Sequence, residues 1–242
     1  MIEKLNKLPW NKTVWRYMDL PKFLDLITTE KLFFANCSKL TDKYEGVLPQ
    51  ENIDQIARNL QKNSNVSEQK AKDVALKQAD IVRSFKDFTL LNCWSMSREE
   101  SYALWKVYLG NSNAGVAVKT NIKKLTQSIK SDEKIYMGEV KYTNFIKGEP
   151  HVTTVITRKS PFYKYEEELR LFIPNQIIFN EENRVAKHPN GMKISVDTKE
   201  LIDEIFISPF AGNWFETVLR KTLEELNPKL LDKIKRSAIR DV

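Results

Sequence analysis

At 242 residues with 41% hydrophobic side chains, the chain is long enough to bury one proper core, and a single domain is expected. Two cysteines, Cys37 and Cys93, and two histidines, His151 and His188, lie far apart without zinc-ligand spacing, so no metal is expected. The net charge of +7 favours encounter with an anionic partner such as a nucleotide or nucleic acid, with plain solubility the leading explanation; no apolar run is bilayer-length and the opening residues are polar, so a cytoplasmic protein without a membrane partner is expected.

Thr13 to Met18 alternates, with Val14, Arg16 and Met18 on one side and Trp15 and Tyr17 on the other, which predicts a strand. Asp19 caps the helix that follows, with Pro21 in its first turn and Leu20, Phe23, Leu24 and Ile27 at helical spacing. Leu32 to Ala35 reads as a short strand and Thr41 to Gly46 as the loop after it. Between residues 49 and 86 the composition turns to Gln, Lys, Asn and Ala with thin apolar stripes, predicting a helical hairpin inserted into the domain and turning at Asn63-Ser64-Asn65. Such a hairpin covers a cleft or meets a partner.

Phe88 to Ser95 is nearly continuous apolar sequence, as in a strand buried on both faces. Ser97 to Leu109 reads as a helix opened by the capping box Ser97-x-x-Glu100 and stopped by Gly110. Gly115 to Val118 is a strand, Asn121 to Ile129 a helix, and Ile135 to Tyr142 an alternating strand. A strand through Glu166, Glu168 and Arg170 comes next, then a hairpin turning near His188-Pro189-Asn190-Gly191 with Met192 to Val196 as its return arm. After Ile205-Phe206-Ile207, two helices finish the chain. Interleaved strands and helices with hairpins predict an α+β fold with a mixed, mainly antiparallel sheet flanked by helices.

On an extended strand Glu166, Glu168 and Arg170 share one face, with the two glutamates roughly 6.5 Å apart, near enough for repulsion to raise one pKa while Arg170 opposes it. One carboxylate of such a pair can hold a ribose hydroxyl while the other faces positive charge developing at an anomeric carbon. Taken alone, the same three residues are more simply a solvated strand face. Arg16 within its strand needs an anionic or carbonyl partner, either a bound phosphate or carboxamide or a glutamate of this protein. Ser95 offers a hydroxyl to a small polar ligand, whereas the capping box accounts for Ser97. The aromatics Trp15, Tyr17, Trp94, Trp105, Tyr108, Tyr163 and Tyr165 gather in the same segments, where rings can stack on nicotinamide or adenine or simply fill the core. Asp42 and Glu45, with Glu166 and Glu168, make a thin version of a Mg²⁺ nuclease site that lacks a lysine on the strand.

The ordered series Trp15-Arg16-Tyr17-Met18, Lys31-Leu32-Phe33-Phe34, Leu40 to Gly46, Asn92-Cys93-Trp94-Ser95, Leu104 to Tyr108, Gly115 to Val118 and Tyr165 to Arg170 resembles the bacterial domain of unknown function 2971. More distantly the series is similar to ADP-ribosyltransferases of the Arg, Ser-x-Ser, Glu-x-Glu type. That resemblance implies an ADP-ribosyltransferase-like fold, with NAD as substrate and a toxin or phage-defence setting. It makes Glu168 and Glu166 the catalytic pair and Arg16, Tyr17, Ser95, Ser97 and Arg170 the groups around the nucleotide, with a protein or nucleic-acid acceptor. Met96 departs from the usual threonine, and Glu167 adds a charge between the two glutamates. The alternative expectation is a non-catalytic module whose basic C-terminal helix, with Lys233, Lys235, Arg236 and Arg240, meets nucleic acid or an acidic protein.

Overall fold

The computed structural model of the chain describes residues 2–40, 45–64, 66–148, 151–175, 177–180 and 183–239. In chain order they form β1 (Ile2–Lys4), β2 (Thr13–Asp19), α1 (Leu20–Thr29), β3 (Lys31–Asn36), α2 (Gln50–Ser64), α3 (Glu68–Ser84), β4 (Thr89–Ser95), α4 (Tyr102–Leu109), β5 (Gly115–Asn121) and α5 (Ile122–Ser128). There follow β6 (Ile135–Glu139), β7 (Lys141–Tyr142), α6 (Val152–Ile156), β8 (Arg158–Lys159), β9 (Glu168–Pro174), β10 (Ile177–Asn180), β11 (Asn183–Ala186), β12 (Gly191–Ser195), α7 (Thr198–Leu201), β13 (Glu204–Ile207), α8 (Asn213–Leu226) and β14 (Ile234–Arg236).

The fold is α+β. Ten strands build one mixed sheet in the order β1-β6-β9-β4-β2-β5-β13-β14, with β3 branching from β4 and β12 pairing β3. Only β1 with β6 and β13 with β14 run parallel within it. The local chemistry explains the helices that begin at strand ends. Asp19 Oδ1 accepts from the Lys22 amide at 2.9 Å and Pro21 occupies the first turn, so α1 starts where β2 stops. Asn121 does the same for α5, accepting from the Lys124 amide at 3.0 Å.

Side chains alternate across the sheet. Val14, Met18, Leu90, Trp94, Val116, Val118, Leu169, Leu171 and Ile173 feed the main core on one face, beneath α1 and α8. On the other face Leu91 and Phe172 pack with Cys37 and Ile156, while Trp15 and Tyr17 pack with Leu104, Trp105 and Leu109 of α4. The helices α2 and α3 appear where the hairpin is expected, though Asn65 in its turn lies outside the described residues. Their apolar stripe, Ile53, Ile56, Ala79 and Val82, lies on Leu48, Ile146 and Val155. Asn52 fastens it, donating to the Ile146 carbonyl and accepting from its amide, each at 2.8 Å.

Four expectations are corrected. The strand carrying the glutamates begins only at Glu168: Pro161–Glu166 is a 3-10 turn opened by proline, and Glu167 takes a left-handed conformation, φ 42°, that turns the chain between the two. The helix expected from Ser97 begins at Tyr102, because Ser101 Oγ caps it by accepting from the Leu104 amide, and Glu100 is drawn to other partners. Residues 191–195 do not return against the preceding segment; they pair with β3, and the local hairpin is β10 with β11. Among the described residues the C-terminal basic stretch forms no α-helix, and Arg240 lies outside them. Pro228–Lys233 is a 3-10 turn and β14 follows, because Ile234 is drawn into the sheet beside Ile205. In addition the strand expected over Ile135 to Tyr142 breaks at Val140, which donates its amide to the Glu168 carbonyl at 2.8 Å.

Among the described residues no helix is long and apolar enough to cross a membrane. The Thr120 hydroxyl is the one buried side-chain polar atom among them without a hydrogen-bond partner. Thr120→Val removes it at nearly constant shape, and an increase of about 1 kcal/mol in stability is expected, visible as a higher urea midpoint at unchanged slope. A lower midpoint would contradict it.

Candidate functional site at a gap in the sheet

One edge of β4 is divided between two partners. β3 takes its first part, Ala35 opposite Leu91 and Asn36 opposite Leu90, and β2 takes only its end, Trp15 opposite Ser95. Between them, residues 92–94 meet no strand on that side, and their backbone groups need partners from side chains. Asn92 Nδ2 bridges to the Phe33 carbonyl at 2.9 Å, while its Oδ1 accepts from Trp94 Nε1 at 2.7 Å. Arg16 Nη1 donates to the Cys93 carbonyl at 2.6 Å.

This gap brings together residues that a continuous sheet would keep apart. Arg16 alternates with Val14 and Met18 on the main-core face, whereas Glu168 alternates with Phe172 on the other. Yet Arg16, Tyr17, Ser95, Glu166 and Glu168 line one hollow, set among the rings of Trp15, Trp94 and Tyr108. The hollow measures about 10 Å³, the room of about one water.

Behind it lies a buried ion network. Arg170, fully enclosed, donates from Nε to Glu168 Oε1 at 3.0 Å and from Nη2 to Glu168 Oε2 at 2.9 Å, the bidentate fork that guanidinium geometry favours. The same Nη2 reaches Glu45 Oε1 at 2.9 Å, and Nη1 reaches the Ile156 carbonyl at 2.5 Å. Lys159 sits between three carboxylates, 2.7 Å from Glu166, 2.8 Å from Glu45 and 3.8 Å from Glu168. The face is therefore not the solvated one that the sequence also allows: Glu166 is 9% exposed and Glu168 5%.

The environment separates the two glutamates. Burial pushes the Glu166 carboxyl above its ordinary value, against the pull of Lys159 and with the push of Glu168 and Glu45. Burial would raise Glu168 too, but the charge and hydrogen bonds of Arg170, then Lys159, outweigh it and hold Glu168 below the usual carboxylate range. One carboxyl is thus held ready to carry a proton while its neighbour stays ionised, the division that acid–base chemistry exploits. Burial also raises the Cys93 thiol well above its ordinary value, so the thiol that hydrogen-bonds Glu168 is not a ready nucleophile.

Arg16 resolves differently from Arg170. No carboxylate among the described residues pairs with it, since Arg170 takes the oxygens of Glu168; its partners are the Cys93 carbonyl and the Trp94 ring, 5.9 Å from the guanidinium carbon. Burial lowers its pKa, the cost of holding a charge without a counter-ion. Of the two expectations for Arg16, the internal salt bridge is not what forms.

The other candidates fall as follows. Ser95 lines the hollow, with its Oγ accepting from the Ser97 amide at 3.3 Å. Ser97 does not line it; its own Oγ donates to the Glu99 carbonyl. Tyr17 lines it, but its hydroxyl accepts from the Ser101 amide at 2.8 Å, and burial raises its pKa. Arg170 holds the carboxylates from behind and does not line the hollow. Asp42 lies outside the described residues. The residue missed from sequence is Lys159, the lysine partner thought absent from the carboxylates. It comes from β8, seven positions before Glu166, and no periodicity ties the two; the only available hint was that three successive glutamates entering an apolar strand require buried cations. Lys159 and Arg170 fill the space among the carboxylates, and no group of His, Cys, Asp or Glu arranged to hold a metal ion occurs among the described residues.

No protein-family model and no curated protein matches this chain.

Proposed function

We propose that the protein is an ADP-ribosyltransferase-like enzyme that cleaves the nicotinamide N-glycosidic bond of NAD at the gap between β2 and β4. One observation carries the reading: a guanidinium with no carboxylate partner among the described residues, Arg16, and a carboxylate held in its ionised form by Arg170, Glu168, come from distant parts of the chain and line one hollow. Arg16 would take a phosphate of the dinucleotide, an anion suited to its free hydrogen-bonding edge. Ser95 and the rings of Tyr17 and Trp94 would place the nicotinamide ribose. As the bond from the anomeric carbon to the pyridinium nitrogen breaks, both electrons leave with nicotinamide, and Glu168 faces the oxocarbenium charge left behind. Water or an acceptor hydroxyl then adds to that carbon, and its proton passes to Glu166, whose raised pKa suits it to receive one. A hollow with room for about one water does not admit a dinucleotide as it stands, so binding requires its wall to move.

The test is nicotinamide release from NAD. Glu168→Gln keeps shape and removes the charge, and a fall of roughly 100-fold or more is expected, with the fold confirmed by circular dichroism. Failure of wild type to bind or cleave NAD, or equal release by the variant, would sink the reading.

A further inference from the structure

The wall that must move can be identified. Leu104 and Tyr108 of α4 line the hollow, and α4 is a single helix of 8 residues between two loops. After it comes Gly110, at φ +54° with nothing within 4 Å of the place a Cβ would take, a joint that only glycine adopts without strain and that has space around it. Before it, residues 96–101 are tied down by hydrogen bonds. Trp15 Nε1 donates to the Ser97 carbonyl at 3.0 Å, and the Ser101 amide to Tyr17 Oη at 2.8 Å.

Glu100 makes the decisive tie. Its Oε1 accepts from Trp105 Nε1 within α4 at 3.2 Å, while its Oε2 accepts from the Ala238 amide at 2.7 Å. Ile239 packs against the Trp15, Tyr17, Leu104 and Trp105 cluster beside it. The C-terminal segment is in turn fastened to the body by Arg236, whose Nε donates to Glu216 Oε2 at 2.8 Å. One carboxylate therefore couples the helix over the hollow to the end of the described chain, and an aliphatic side chain wedges the same helix from outside.

We propose that α4 is the lid of the Arg16–Glu168 hollow and that residues 237–239, through Glu100 and Ile239, are the latch that keeps it shut. The proposal rests on that hollow being the binding site, but its opening can be read without any ligand. Cys93 lines the hollow and only borders the cluster in which Cys37 is fully buried with Leu91 and Phe172, so Cys37 serves as an internal control for general loosening.

The experiment measures carboxamidomethylation of each cysteine by iodoacetamide, resolved by peptide mass, in the full chain. Glu100→Gln retains an oxygen for Trp105 and loses the carboxylate acceptor for Ala238; Ile239→Ser removes the wedge. A hydrogen bond to a charged group is stronger than a neutral one, so labelling of Cys93 relative to Cys37 is expected to rise by roughly tenfold or more in Glu100→Gln, and to rise in Ile239→Ser. An unchanged ratio in both variants, or equal acceleration at both cysteines, would overturn the latch. Selective opening at Cys93 without NAD cleavage by any form would keep the latch and remove the NAD reading, so the two fail separately.

Discussion

Arg170→Leu is expected to lose about 3–5 kcal/mol of stability, enough to unfold a marginal domain. Arg170 is completely enclosed, and its guanidinium serves two carboxylates and one carbonyl. Leucine fills much of the volume but leaves Glu168 and Glu45 with Lys159 alone, and the Ile156 carbonyl without its donor. An unpaired buried charge costs far more than the pair itself contributes, which is why removing one partner is worse than removing all. Arg170→Lys keeps the charge and loses the fork, so an intermediate loss is expected. Urea unfolding followed by tryptophan fluorescence measures both. A loss under 1 kcal/mol in Arg170→Leu would show that the network relaxes into solvent.

Lys159→Met should show a deficit that depends on pH. Lys159 is the cation shared by Glu45, Glu166 and Glu168, and a loss of about 3 kcal/mol is expected near pH 7. In the wild type Glu168 titrates below its unfolded value, so its contribution is present above about pH 4.3 and fades as the pH falls through its folded pKa. Glu166 has the opposite sign. Its raised pKa means that the folded state binds the proton more tightly, so it costs stability at neutral pH and that cost is relieved as the pH falls towards its unfolded value. Without Lys159 the Glu166 carboxyl rises further, and the deficit of the variant should shrink between pH 7 and pH 5. A deficit equal at both pH values would mean that packing of the lysine stem, not its charge, is what was lost.

The strands of the sheet centre were legible because burial on two faces writes itself as continuous apolar sequence, as in β4, and alternation marks β2 with its one charged member. The start of α1 was legible because Asp19 and Pro21 act within one turn. The candidate hollow was legible in part of its lining but not in its arrangement. Arg16, Ser95 and Glu168 come from the positions read for them, but their meeting depends on β4 losing its neighbour over three residues, which no local pattern records. Ser97 was misread because a capping box needs only two residue types at the right spacing, while Glu100 was committed to Ala238, far away in sequence. Pairing of Met192 to Val196 was likewise a choice between distant strands: β3 offers Leu32 and Phe34 on a matching face, and the nearer segment does not compete.

The break beside β4 also bears on how the molecule assembles. β2 is laddered to β5 over seven residue pairs and β4 to β9 over seven, but the strand pairing of β2 with β4 is the single rung of Trp15 and Ser95. Each ladder can zip without waiting for the other, and the lone rung between them gains too little by itself to form early. Amide exchange should accordingly report two cooperative blocks with separate opening free energies, and the seam between them should be the least protected part of the sheet interior.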